Sequence, residues 1–123
     1  MEKLVGIILE KDGKYLIEER TKDNDFGAGE FWIIGGHVEN ETVEQAVIRE
    51  TKEELGIYLD EYEFVCELPW KRDGKKYLVS YFVCRKWTGA LECNEAEKLH
   101  WITKNELDKL EEEIDKEAIR RIT

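Results

Sequence analysis

The stretch Gly35-Gly36-His37-Val38-Glu39-Asn40-Glu41-Thr42-Val43-Glu44-Gln45-Ala46-Val47-Ile48-Arg49-Glu50-Thr51-Lys52-Glu53-Glu54-Leu55-Gly56-Ile57 organises the rest of the chain. Two glycines follow the apolar run Phe31 to Ile34 and read as a tight exit from a strand, where glycine turns without steric penalty. Thr42 with Gln45 three residues later is a capping box, which predicts a helix start. The helix is expected to run to Leu55, with Gly56 closing it in the left-handed conformation. Val43, Ala46 and Val47 give it an apolar stripe near the start.

Glu50, Glu53 and Glu54 stand at i, i+3 and i+4, so their carboxylates share one helical face. Like charges at this spacing repel, and the C-terminal end of a helix disfavours anions. A divalent cation would offset both effects, and clustered oxygen donors suit Mg²⁺ or Mn²⁺. The plain alternative is a solvated acidic face in an acidic chain.

From Gly35 the residues fit the pattern G-x5-E-x7-R-E-x-x-E-E-x-G-apolar, with Glu41, Arg49, Glu50, Glu53, Glu54, Gly56 and Ile57 in place. This closely resembles the signature of the Nudix hydrolases, a pattern far more specific than a lone glycine motif. Two departures stand out. The Glu39-Asn40-Glu41 loop is one residue shorter than usual, and Thr51 stands where the family prefers an aliphatic residue.

The resemblance implies an α/β/α sandwich with a mixed sheet between helices. It also implies an enzyme that cleaves a phosphoanhydride in a nucleoside diphosphate linked to a further group, using Mg²⁺ or Mn²⁺. By that resemblance Glu50, Glu53 and Glu54 take the metal-binding places, and one of them orients or deprotonates the attacking water. The Gly35 backbone oxygen joins the metal set, and Arg49 with Glu41 forms a supporting ion pair. Arg20 falls where relatives often have a ligand-facing arginine, although a plain surface arginine explains it as well. A further carboxylate is expected from the loop before the last strand, where Glu97 is preferred to Glu95. His37 and His100 read as bystanders. Phe26, Trp32, Trp70, Tyr77, Trp87 and Trp101 are available to stack on a base. Core packing is the expected role for most of them, Trp32 and Trp101 in particular.

At 123 residues the chain is expected to form one domain over residues 1–123. Its net charge of −10 argues against a general binder of nucleic-acid polymers or anionic membranes. A nucleotide substrate would then need metal ions and local Arg or Lys groups to reverse the field at the site. No apolar run approaches a membrane span, and no signal-like segment opens the chain. Cys66, Cys84 and Cys93 lack metal-ligand or disulfide spacing and read as buried free thiols, in keeping with the cytoplasm.

Elsewhere Leu4–Leu9 and Tyr15–Glu19 read as paired strands around Asp12-Gly13, and Thr21–Glu30 as a mobile loop beside the site. Tyr62–Leu68 reads as a strand broken by Pro69-Trp70, followed by a turn at Asp73-Gly74. Lys76–Arg85 is apolar on both faces, as a central strand should be. After a last strand at Leu99–Ile102, a second capping box at Thr103 and Glu106 opens an amphipathic helix to Ile122. The leading functional expectation is a MutT-type enzyme that converts a nucleoside triphosphate to monophosphate and pyrophosphate. An ADP-ribose or dinucleoside polyphosphate hydrolase is the alternative, and a nucleotide-sensing module is the reading from another class. The sequence assigns no oligomeric state.

Overall fold

The computed structural model describes residues 1–123. Its strands are β1 (Glu2–Lys11), β2 (Lys14–Glu19), β3 (Phe31–Trp32), β4 (Ile34–His37), β5 (Tyr58–Arg72), β6 (Lys75–Thr88) and β7 (Lys98–Ile102). Helix α1 (Val43–Leu55) follows β4, and α2 (Glu113–Arg120) ends the chain. The sheet is mixed: β1 runs parallel to β6 and antiparallel to β4, and β6 runs antiparallel to β5. Strand β2 pairs with β3 and β7 and meets β1 at the first hairpin.

Alternation along the central strands explains why both sheet faces are covered. Ile7 and Leu9 pack with Ala46, Val47 and Leu55 of α1, while Ile8 between them packs with Ala118 and Ile119 of α2. Strand β6 divides in the same way, with Phe82 and Cys84 toward α1 and Tyr81 and Val83 toward α2. The expected α/β sandwich is therefore what the alternation builds. No helix is long and apolar enough to cross a membrane.

Both hairpins turn where the sequence places them, with Asp12, Gly13, Asp73 and Gly74 all at positive φ. Helix α1 also starts and stops as expected: Gln45 N–H donates to the Thr42 hydroxyl at 3.1 Å, and Thr42 N–H donates back to Gln45 Oε1 at 2.9 Å. Gly56 closes it at φ 68°. Thr51 is fully buried without penalty, because its hydroxyl donates to the Val47 carbonyl at 2.6 Å.

Five expectations need correction. Gly35 and Gly36 do not turn the chain out of a strand; they lie inside β4, paired with Gly6 and Val5 of β1. Glycine is required there by close approach, since a Cβ on Gly35 would meet the Val5 carbonyl and one on Gly36 the Glu50 carboxylate. The apolar run before them is split, Phe31–Trp32 joining β2 while Ile34 begins the pairing with β1. Pro69 does not break β5, because that strand is the sheet edge, where a residue without an N–H is tolerated. The terminal helix is two pieces. A 3₁₀ turn over Lys104–Lys109 gives way to extended backbone at Leu110 and Glu112 before α2. Glu106 still accepts from Thr103 N–H at 3.0 Å, but Glu111 N–H bonds the Phe31 carbonyl at 3.1 Å instead of continuing the helix. Finally, all three cysteines are free, but only Cys66 and Cys84 are buried.

Candidate active site

The C-terminal half of α1 lies against β4, and the Gly36 backbone leaves just enough room for the Glu50 carboxylate. Arg49 is the hub of this region. Its Nε donates to both Glu41 oxygens at 2.9 and 3.0 Å, and its Nη2 donates to Glu41 Oε2 at 2.7 Å and to the His37 carbonyl at 3.0 Å. Its Nη1 donates to Glu50 Oε1 at 2.9 Å and to Glu53 Oε2 at 3.2 Å. The Arg49–Glu41 pair thus ties helix to loop, and the short loop is pinned by the same guanidinium. That guanidinium holds the Glu41 carboxyl below the usual carboxylate range.

Glu54 faces inward. It is buried, and burial raises its carboxyl affinity for a proton, reinforced by the charges of Glu18, Glu50 and Glu95. Glu50 is shifted upward by burial as well, with the Arg49 hydrogen bond opposing. Glu18 of β2 is 3% exposed and is also shifted upward by burial, against the pull of Arg20. Glu18 Oε2 and Glu54 Oε2 are the two buried side-chain polar atoms in the protein without a hydrogen-bond partner.

Of the two loop glutamates, Glu95 is the one whose charge is felt by Glu18, Glu50 and Glu54. Both side chains are exposed, and Glu97 is held through its backbone, its N–H donating to the Glu19 carbonyl at 2.8 Å. Arg20 is no plain surface residue. Its Nε donates to the Phe26 carbonyl at 2.8 Å, its Nη2 donates to Asn24 Oδ1 at 3.1 Å, and its guanidinium lies 4.3 Å from the Trp32 ring centre. The loop after β2 is tied back by this one side chain.

Arg20, Gly35, Gly36 and Glu18 line a cleft whose far end is aromatic. Phe26 lies 5.2 Å from Trp32 and 5.7 Å from Trp70, and Trp32 meets Trp70 edge-on at 5.6 Å. Trp32 is therefore a cleft wall rather than a core residue. Trp101 does pack on the α1-side core, stacked on Trp87 at 6.5 Å. Arg72 clasps the aromatic end, donating to both Glu30 oxygens at 2.8 and 2.9 Å and to Glu112 Oε2 at 2.7 Å. The indole N–H groups of Trp32 and Trp70 donate to Glu30 and Glu112, each at 2.8 Å.

Asp115 of α2 closes the cleft floor. Its Oδ1 accepts from the Tyr81 hydroxyl at 2.6 Å and its Oδ2 from Ile33 N–H at 3.0 Å. Burial pushes its carboxyl from 3.8 up to about 6, with these two hydrogen bonds opposing and the Glu112 charge adding to the rise. The sign follows by linkage. The folded state prefers the protonated acid, so the associated stability is complete below about pH 4 and is lost as pH rises through 6. Asparagine mimics the protonated acid if the Tyr81 hydroxyl turns from donor to acceptor. Asp115→Asn is expected to match wild type near pH 4 and to exceed it above pH 6, by on the order of 2 kcal/mol. Thermal melts of both proteins across that range check this, and a constant gap would contradict it.

No three acidic, histidine or cysteine side chains converge as a ready cation cage, since Arg49 spans Glu50 and Glu53. The donor type nevertheless fits a hard divalent cation, with carboxylate oxygens at Glu50, Glu53 and Glu54 and an unpartnered one on Glu54.

A NUDIX domain model matches residues 3–122. The chain belongs to the Nudix family. It is 33% identical over 107 residues to the CTP pyrophosphohydrolase of Escherichia coli, covering 86% of this chain and 78% of that protein. It is 55% identical over 51 residues to the ADP-ribose pyrophosphatase of Methanocaldococcus jannaschii, a match of 41% of this chain and 29% of that one. Among solved structures, the MutT NUDIX hydrolase from Burkholderia pseudomallei superposes with a TM-score of 0.83 at 26% identity, covering 99% of this chain and 98% of that one. The segment Gly35–Ile57, whose pattern resembles the Nudix signature, is the one in which Gly36, Glu50 and Arg49 interlock.

Sequence reasoning overlooked Glu18, Asp115 and Glu112. Two of them left a local trace. Glu18 stands two residues after Leu16, on the buried face of its strand, and Asp115 shares helical spacing with Ala118, Ile119 and Ile122.

Proposed function

We propose that this Nudix pyrophosphohydrolase cleaves a nucleoside triphosphate to the monophosphate and pyrophosphate, with Mg²⁺ or Mn²⁺ held by Glu50, Glu53 and Glu54. The observation that carries this reading is a cleft lined by Glu18, Gly35 and Gly36 and by the rings of Phe26, Trp32 and Trp70, with the Glu50 carboxylate against Gly36 and Glu54 within reach of the Glu18 charge. A base fits between flat rings by stacking, and a triphosphate reaches from there toward the carboxylates. The bound cation supplies neutralisation of charge on the phosphoryl oxygens and lowers the pKa of water.

The chain's own residues do the rest. Gly36 fixes the Glu50 carboxylate against β4, and Arg49 fixes Glu41 to the helix. Glu53, half-exposed and paired with Arg49, is assigned to accept the proton of an attacking water. Arg20, over the Trp32 ring in the cleft lining, supplies positive charge for the phosphates. The Gly35 carbonyl is assigned to the same metal set.

The match to the Methanocaldococcus jannaschii enzyme favours one other substrate, ADP-ribose. A panel of nucleoside triphosphates, ADP-ribose and dinucleoside polyphosphates, assayed with Mg²⁺, separates the readings. Pyrophosphate release from a triphosphate is expected. AMP and ribose 5-phosphate from ADP-ribose, with triphosphates untouched, would replace the proposal by the second reading.

A further inference from the structure

We propose that Glu18 of β2 is a further carboxylate of the metal site, offering its free Oε2 to a cation shared with Glu54. This rests on the hydrolase reading above and extends its ligand set across the cleft, from the helix to the sheet.

The position is rigid. Glu18 stands opposite Trp32 of β3 on one side and Leu99 of β7 on the other, so strand pairing holds its backbone from both edges. It is two residues from Leu16, which packs into the core under α1, and therefore shares the sheet face that α1 covers. Glu54 approaches from that helix.

A carboxylate buried at such a place without donors is strongly disfavoured, and its neighbours Tyr15, Leu16 and Ile17 show that the strand accommodates apolar residues. Arg20 forms an ion pair with Glu18, its Nη1 lying 3.6 Å from Glu18 Oε2, too long for a hydrogen bond. Two other nitrogens of that guanidinium are committed to Phe26 and Asn24. With Glu50 and Glu53 engaged by Arg49, Glu18 and Glu54 hold the free buried oxygens. A hard divalent cation is the partner that their chemistry calls for.

Mn²⁺ titration by calorimetry and by electron paramagnetic resonance, without nucleotide, tests this on wild type, Glu18→Gln, Glu18→Leu and Glu53→Gln. The leucine variant matches the apolar strand around it and guards against misfolding of the glutamine variant. Both Glu18 variants are expected to lose about 10-fold or more in Mn²⁺ affinity, or one bound ion, while folding as wild type does. Unchanged affinity and stoichiometry in both, with Glu53→Gln weakened, would overturn the role of Glu18 and leave the hydrolase reading standing. Absence of Mn²⁺ binding by wild type would overturn both.

Discussion

Glu53→Gln and Glu54→Gln each lower turnover of the nucleotide substrate by about 10²–10⁴-fold while the protein stays folded. The two side chains reach this result from different surroundings. Glu53 is half-exposed and its carboxylate pairs with Arg49, so its loss alters little besides local charge and basicity. Glu54 is buried with an unpartnered oxygen, and the charges of Glu18, Glu50 and Glu95 bear on it. The amide stands close to the protonated acid of the metal-free protein but removes a ligand from the loaded one. The melting temperature of wild type should therefore rise with Mg²⁺ more than that of Glu54→Gln, because a ligand that binds only the folded state stabilises it by mass action. Near wild-type turnover in both variants would refute the site assignment.

Arg49→Ala is expected to cost about 2–4 kcal/mol of stability and to slow turnover as well. The guanidinium is largely covered and bonds Glu41, Glu50 and Glu53 together with the His37 carbonyl. Its removal leaves three carboxylates crowded without a counter-charge and frees the loop from the helix. Excess Mg²⁺ should restore part of the loss, since a cation at Glu50 and Glu53 replaces the missing charge there but not at Glu41. Denaturant melts with and without Mg²⁺ measure both effects. An unchanged midpoint without metal would remove Arg49 from its supporting role.

Local spacing made one half of the site readable from the sequence. The helix, its Thr42 cap, its Gly56 stop and the shared face of Glu50, Glu53 and Glu54 all depend on residues within a few turns of one another. The other half depends on distant pairing. Asp115 reaches Ile33 across 82 residues and Arg72 reaches Glu30 across 42, and no periodicity announces such contacts. Glu18 acquires its meaning only when β2 is placed beside β3 and β7. The glycine pair was legible as a constraint but not as to its kind. A turn and a close strand approach both call for glycine, and only the register Gly6↔Gly35 distinguishes them. The terminal helix was overextended because Leu107, Leu110 and Ile114 keep helical spacing through a stretch where the backbone turns to bond Phe31 instead.

A crystal structure with Mg²⁺ and a non-hydrolysable nucleoside triphosphate analogue tests the central claim most directly. The cation is expected on the carboxylates of Glu50, Glu53 and Glu54, bridging to the phosphates, with the base among Phe26, Trp32 and Trp70. A bare acidic face, with the nucleotide bound elsewhere, would contradict it.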